Sequence, residues 1–273
     1  ANRQLLARPV AMPELSATEH QRGEFTIIDV GAEPLTFEAH VYAALPKYRP
    51  SLIIGFDPTD RDAPKVETSE DDKALRCEIR TLPYFIGDSH PATFNLARMQ
   101  PTSSLLETRR LDDVIAEQNI SDRWIDFVKI DVQGATLPVL KGARETLSRT
   151  LICHLEAEFT EIYLGEALFS DIDRYMRELD FVLMDIATLG RQRYNAFDVT
   201  EDRFFHAGRL LWADCVYVRH LDDPEKLTDA ELLKLAEIAH VVYGKYDVAA
   251  FALQTVSNRA ESTVYDDYTA IWN

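Results

Sequence analysis

Phe127-Val-Lys-Ile-Asp131-Val-Gln-Gly134-Ala-Thr-Leu-Pro138-Val-Leu-Lys-Gly142-Ala143 reads as a buried strand, a tight turn and a helix. Phe127, Val128, Ile130 and Val132 form a short run of the β-branched and aromatic kind that parallel sheets bury on both faces. Leu137, Leu140, Ala143 and Leu147 then recur at helical spacing, and Pro138 fits only if it falls in the first turn of that helix. Asp131 is left at the carboxyl end of a strand, the edge at which open α/β sheets bind their ligands.

Working outward, the same pattern repeats. Phe25-Thr-Ile-Ile-Asp29-Val-Gly31-Ala32 is an apolar run ending in an acid and a glycine, and Ser51-Leu-Ile-Ile-Gly-Phe56-Asp57 is a second run ending in an acid. Between them, Phe37, Val41, Ala44 and Leu45 predict a helix that Pro46 closes. Thr81 to Ile86 reads as a third strand with Asp88 just beyond it, Leu111 to Gln118 as a helix, and Leu151 to Phe159 as a fifth strand placing His154, Glu156 and Glu158 on one face. A helix over 168–179, strands over 181–185 and 213–218, and a functional loop over 187–211 follow. Thr228 and Glu231 form a capping box for a helix, and a short helix over 248–253 precedes a polar tail. Alternating strands and helices predict a doubly wound, mostly parallel α/β sheet over 25–220, with an N-terminal arm over 1–24 and a C-terminal helical extension over 221–273 packed on it.

The 273 residues carry 46 acidic and 29 basic side chains, a formal charge of −17, which argues against nucleic acid as a partner. There is no apolar run of the roughly 20 residues a membrane span requires and no signal-peptide pattern, so the expected location is the cytoplasm. Cys77, Cys153 and Cys215 are odd in number and widely spaced, as buried free thiols would be. No metal is expected, because no second histidine stands at ligand spacing from His154.

Asp29 with Gly31, then Asp57, then Asp88 suit a nucleoside: glycine allows close backbone approach, an acid after the second strand accepts ribose hydroxyls, and an acid after the third suits an exocyclic amino group. Glu33-Pro34-Leu35 follow Gly31 where a dinucleotide fingerprint needs a second glycine, which disfavours NAD and nucleotide-sugar chemistry.

The motifs together resemble the FkbM family of S-adenosylmethionine-dependent methyltransferases over roughly residues 25 to 255. The stretch from Val128 to Ala143 is similar to the family signature KIDVQGAE followed by VLKGA, supported by Asp29-Val-Gly-Ala32, Gly55-Phe-Asp-Pro58, Ser103-Ser-Leu-Leu106, Leu111-Asp-Asp113 and Leu155-Glu-Ala-Glu-Phe159. The resemblance implies a class I methyltransferase (Rossmann-like) sheet of seven strands with the last antiparallel, and S-adenosylmethionine as cofactor. It implies methylation of a hydroxyl on a sugar or other small metabolite, and a homo-oligomer is compatible with it. The resemblance implies Asp29 and Gly31 at the methionine and ribose side, Asp57 on the ribose hydroxyls and Asp131 near the transferring methyl, and with Ala32, Asp88 and Gln133 these make up the cofactor-binding set; strand-end placement makes Asp131 and Glu158 the first candidates for the catalytic base or hydroxyl-orienting group, with Glu156, Ser104 and His206 behind them. Glu33-Pro34-Leu35 depart from the first motif and Thr136 replaces the signature glutamate, which keeps a catalytically degenerate cofactor-binding module as the alternative.

Overall fold

The computed structural model describes residues 11–13, 23–31, 40–58, 65–68, 77–90, 92–95, 103–194 and 208–272. The strands are β1 (Phe25–Val30), β2 (Ser51–Phe56), β3 (Lys65–Thr68), β4 (Cys77–Leu82), β5 (Ile86–Gly87), β6 (Ala92–Asn95), β7 (Ser103–Leu106), β8 (Arg109–Arg110), β9 (Ile125–Ile130), β10 (Thr150–Glu158), β11 (Phe181–Gln192) and β12 (Arg209–Arg219). Among the described residues the helices are α1 (Leu45–Tyr48), α2 (Leu111–Glu117), α3 (Thr136–Gly142), α4 (Arg144–Ser148), α5 (Phe169–Glu178), α6 (Asp229–Val241), α7 (Tyr246–Ala260) and α8 (Val264–Thr269).

One eight-stranded sheet runs in the order β11-β12-β10-β9-β1-β2-β4-β3. β4, β2, β1, β9 and β10 are mutually parallel, whereas β12 pairs antiparallel with both β10 and β11. This is the expected class I methyltransferase arrangement, with β3 added as an antiparallel edge strand beside β4. The chain moves from β1 outward to β4, then returns to β9 on the other side. The order therefore reverses between β1 and β9, the kind of crevice where such sheets bind ligands.

Strand periodicity divides the core into two layers. Ile28, Val30, Val128, Ile130, Cys153 and Leu155 face α2 to α5, meeting Val114, Leu140, Leu147 and Ile172. Phe25, Ile27, Phe127, Ile152 and Val216 face the opposite way, onto Leu232, Leu235, Ala239 and Leu253 of α6 and α7 and Tyr268 of α8. The last three helices thus supply most of one layer. Charged groups fasten them: buried Arg49 pairs with Glu237, and Lys234 Nζ donates to Asp126 Oδ2 at 2.9 Å. Burial pushes Asp126 up to about 6, opposed by Lys234 and by the Thr26 N–H that donates to it at 2.7 Å.

Several boundaries differ from the sequence reading, each for a local reason. Pro46 lies in the first turn of α1 and opens that helix, where a missing N–H costs nothing. The third strand of the main sheet is β4, four residues earlier than expected; Glu78 and Arg80 alternate outward from Cys77 and Ile79, and Pro83 follows its end. Asp88 accordingly follows the short β5, which pairs with β8 outside the main sheet. Ser103 and Ser104 lie in β7, paired with β6. The signature helix breaks at Ala143 into α3 and α4, so Leu147 belongs to the second. Residues 187–192 and 209–211 extend β11 and β12 into a long antiparallel pair, which shortens the expected loop; Gly190 lies under Trp212, where a Cβ would come within 2.2 Å of the indole. The capping box at Thr228 and Glu231 is present, α7 runs for 15 residues, and α8 lies within the expected polar tail. All three cysteines are buried free thiols, and no helix among the described residues is long and apolar enough to cross a membrane.

Candidate functional site

The ends of β1 and β9 cross at two tight turns. Asp131 N–H donates to the Val30 carbonyl at 3.0 Å, and Gly31 adopts φ +90° directly against the Asp131 carbonyl. A Cβ on Gly31 would lie 1.9 Å from that oxygen, so both the conformation and the contact require glycine. The following signature turn also uses left-handed backbone, at Gln133 (φ 45°) and Gly134 (φ 85°).

Beneath this crossing the register sets Asp29, Lys129 and His154 side by side on one face of β1, β9 and β10. Asp29 is fully buried; its Oδ2 accepts from the Tyr42 hydroxyl at 2.7 Å and lies 3.2 Å from His40 Nδ1. Lys129 Nζ stands 3.2 Å from Asp131 Oδ2 and 3.6 Å from Asp29 Oδ1. Burial works against the ammonium, but the two carboxylates outweigh it and raise its pKa. His154 stacks on Tyr243, whose hydroxyl lies 3.0 Å from Nδ1; burial, with Lys129 nearby, lowers the imidazole to about 4 and keeps it neutral at pH 7.

One step toward the carboxyl edge, the same face turns acidic. Glu156 is paired in register with Asp214 of β12, and Asp131 approaches from β9. Burial, then Asp131, Glu158 and Asp214, push Glu156 up to about 7, with Lys129 opposing. Burial also raises Asp214, against a hydrogen bond from Thr188. Glu158 is about 1% exposed; its Oε1 accepts the Gly134 N–H at 3.1 Å, and its buried Oε2 has no hydrogen-bond partner among the described residues. Burial and Glu166 raise it to about 7. Glu166 in turn accepts the Tyr163 N–H at 3.0 Å, and the Tyr163 hydroxyl donates to Gln133 Oε1 at 3.2 Å, so the segment after β10 covers the signature turn.

The structure therefore gathers Asp29, Gly31, Asp131, Gln133, Glu156 and Glu158 around one crossing. Asp57 stands buried just after β2, its N–H donating to the Leu82 carbonyl at 3.1 Å. Asp88 is placed differently: it accepts the His90 N–H at 3.1 Å in a turn on the flank, and the His90 contacts lower its pKa against the opposing effect of burial. Ala32, Glu33-Pro34-Leu35 and His206 lie outside the described residues, as does the side chain of Ser104. Thr136 is buried, and its hydroxyl donates to the Glu156 carbonyl at 2.9 Å, which ties α3 to β10. Sequence reading did not single out Lys129, Asp214, Tyr163 or Tyr243. Lys129 and Asp214 left a trace, each as a charge inside an apolar strand. Among the described residues no group of three His, Cys, Asp or Glu side chains is arranged to hold a metal ion.

Comparison with known proteins gives three partial matches. The family model "Methyltransferase FkbM domain" matches residues 81–183. A 2-O-methyltransferase NoeI of Sinorhizobium fredii (strain NBRC 101917 / NGR234) is 41% identical over 61 residues, 22% of this chain. The match spans about a quarter (24%) of that protein's length. Among solved structures, magnesium protoporphyrin IX methyltransferase (ChlM) from Synechocystis PCC 6803 with bound SAM aligns at a TM-score of 0.33 and 12% identity, over 73% of this chain and 71% of that one. The segment that holds β9, the signature turn, Glu156 and Glu158 is thus the part of this chain that matches the methyltransferase FkbM domain, across residues 81–183.

Proposed function

We propose that the protein is an S-adenosylmethionine-dependent O-methyltransferase acting on a hydroxyl of a sugar or other small metabolite. The observation that carries this reading is the close contact of Gly31 with the Asp131 carbonyl under a rim of carboxylates, of which Asp131, Glu156 and Glu158 lie in the segment that matches the methyltransferase domain. The residues present fit the cofactor: the Gly31 turn offers close backbone approach, Asp57 stands where ribose hydroxyls would need an acceptor, and the acidic rim suits a cation. When bound, S-adenosylmethionine supplies a methyl group on positively charged sulfur. The chain's own task is then to orient the hydroxyl and remove its proton.

Glu156 is placed to take that proton. A carboxylate held near 7 is half ionised at neutral pH and matched to general-base work there. Asp131, paired with Lys129, orients the hydroxyl, and Glu158 holds the Gly134 turn from below. Calorimetric titration with S-adenosylhomocysteine, followed by product assays with hydroxyl compounds and S-adenosylmethionine, tests the reading. Asp131→Asn and Glu156→Gln should each lower turnover by about a hundredfold or more, the usual range for a positioned acid–base group. A folded protein that binds no S-adenosylhomocysteine, or variants that keep full turnover, would overturn it.

A further inference from the structure

We infer that Glu158 and Glu166 share a single proton between their Oε2 atoms, and that this carboxyl–carboxylate pair latches the segment from Thr160 to Glu166 onto the signature turn. The inference goes beyond the methyltransferase reading and does not depend on it. Leu168 bridges the end of β10 at Glu158, which turns the intervening chain back and returns Glu166 to the strand it has just left. Both carboxyl groups then close on Gly134. Glu158 Oε1 accepts the Gly134 N–H at 3.1 Å. A Cβ on Gly134 would lie 2.6 Å from Glu166 Oε2 and 2.7 Å from Tyr163 Cδ2, so the Glu166 carboxyl and the Tyr163 ring take up the space a side chain would need.

Each carboxyl group has one oxygen satisfied and one not. Glu158 Oε1 has the Gly134 N–H, and Glu166 Oε1 accepts the N–H groups of Ile162 and Tyr163. Both Oε2 atoms are buried, and no N–H or O–H among the described residues reaches either. Around the pair stand Asp131 and Lys129 of β9, Glu156 of β10, Asp214 of β12, and Tyr163 and Glu161 of the segment itself. Lys129 is held by Asp29 and Asp131, the Tyr163 hydroxyl donates to Gln133, and Glu161 accepts the Gly165 N–H. One hydrogen meets the need of both orphan oxygens: a proton on one Oε2 donates to the other and removes one of two like charges. Hydrogen bonds from a carboxyl to a carboxylate are among the strong ones. Burial and Glu166 raise Glu158 to about 7. A carboxyl so raised stabilises the fold fully below the ordinary carboxylate range and loses that contribution as the pH climbs through about 7. The latch therefore holds in weak acid and loosens in weak base, and with it the turn that carries Gln133 and Gly134.

Chemical denaturation of the full chain at pH 6 and pH 8 reads the proton. A group that titrates near 7 when folded and in the ordinary range when unfolded raises the unfolding equilibrium constant about tenfold over that interval. Glu158→Gln and Glu166→Gln each replace the shared proton with a fixed amide hydrogen, so each should remove about that tenfold share of the parent's rise. The double variant is decisive. Backbone N–H groups occupy both Oε1 positions, so two glutamines would set one amide NH2 against the other. The double variant should then unfold about tenfold more readily than either single variant at both pH values. Hydrogen exchange, corrected for intrinsic rates, should show the Ile162 and Tyr163 amides losing about tenfold in protection from pH 6 to pH 8 in the parent but not in Glu158→Gln. A double variant at least as stable as the single ones at pH 8 would mean that two separate carboxylates merely repel, and it overturns the inference. So do single variants that keep the parent's full dependence on pH, or parent amides whose protection does not change with it.

Discussion

Gly31→Ala is the most direct test of the crossed turns. The added Cβ would sit 1.9 Å from the Asp131 carbonyl oxygen and 3.2 Å from Val132 Cγ1, on a backbone at φ +90°. Neither strand end can easily yield, because Val30 and Asp131 are joined by a 3.0 Å hydrogen bond and the last four residues of β1 and β9 are paired in register. Left-handed backbone costs a non-glycine residue about 1–2 kcal/mol, and forced overpacking about 1–3 kcal/mol more, so the expected loss is roughly 2–5 kcal/mol. Urea unfolding followed by the fluorescence of Trp124, Trp212 and Trp272 reads the stability, and calorimetry with S-adenosylhomocysteine reads the site. The midpoint should fall with the slope unchanged, and cofactor affinity should fall further than stability alone explains, since the two turns must part. An alanine variant with the parent midpoint and parent affinity would refute the argument that these turns are in contact.

Other outcomes follow from the charges and the packing. Turnover should rise with pH through about 7 as Glu156 ionises, and Glu156→Gln should flatten that limb of the profile. Stability should move oppositely: Glu156 and Glu158 bind protons more tightly folded than unfolded, so their contribution is most favourable at low pH and declines from the model-peptide range through about 7. Glu156→Gln should therefore unfold at higher denaturant than the parent at pH 8, by chemical denaturation. Arg49→Met removes the buried ion pair with Glu237 and should cost about 3–5 kcal/mol, measured the same way. Thr136→Val removes one buried hydroxyl bond to Glu156 and should cost about 1 kcal/mol with the fold kept, as circular dichroism and unfolding would show.

The strand, turn and helix around Asp131 were legible in the sequence because their causes are local. An apolar β-branched run, a Gly134 at positive φ and a proline confined to a first turn all act within a few residues of themselves. β11 was legible only in its first half. As an edge strand it exposes Ile186, Thr188 and Leu189 and kinks at three register shifts, so its later residues have no clean alternation. β4 was hidden at its start by Glu78 and Arg80, which pair with each other on the outer side. The site divides in the same way. Asp29, Asp131 and Glu156 announce themselves as acids at strand ends, but Lys129 and Asp214 acquire meaning only from strand register, which joins residues far apart in the chain. The strand before Asp88 was read from local hydrophobicity, whereas β5 pairs with β8 outside the main sheet, a pairing that sequence does not display.

The helices at the end of the chain have a consequence for how the protein is made. Phe25 in the first strand lies 5.7 Å from Lys234 Nζ, and Arg49 waits 188 positions along the chain for Glu237. A ribosome therefore releases β1, β2, β9 and β10 with one broad apolar surface bare until α6 to α8 have emerged. Folding to a closed domain therefore waits for these helices and is governed by contacts of long sequence range. A stop codon placed just before Asp229 would leave every strand and every carboxylate of the site intact in sequence, and yet yield a product destined for chaperones and proteases rather than for binding.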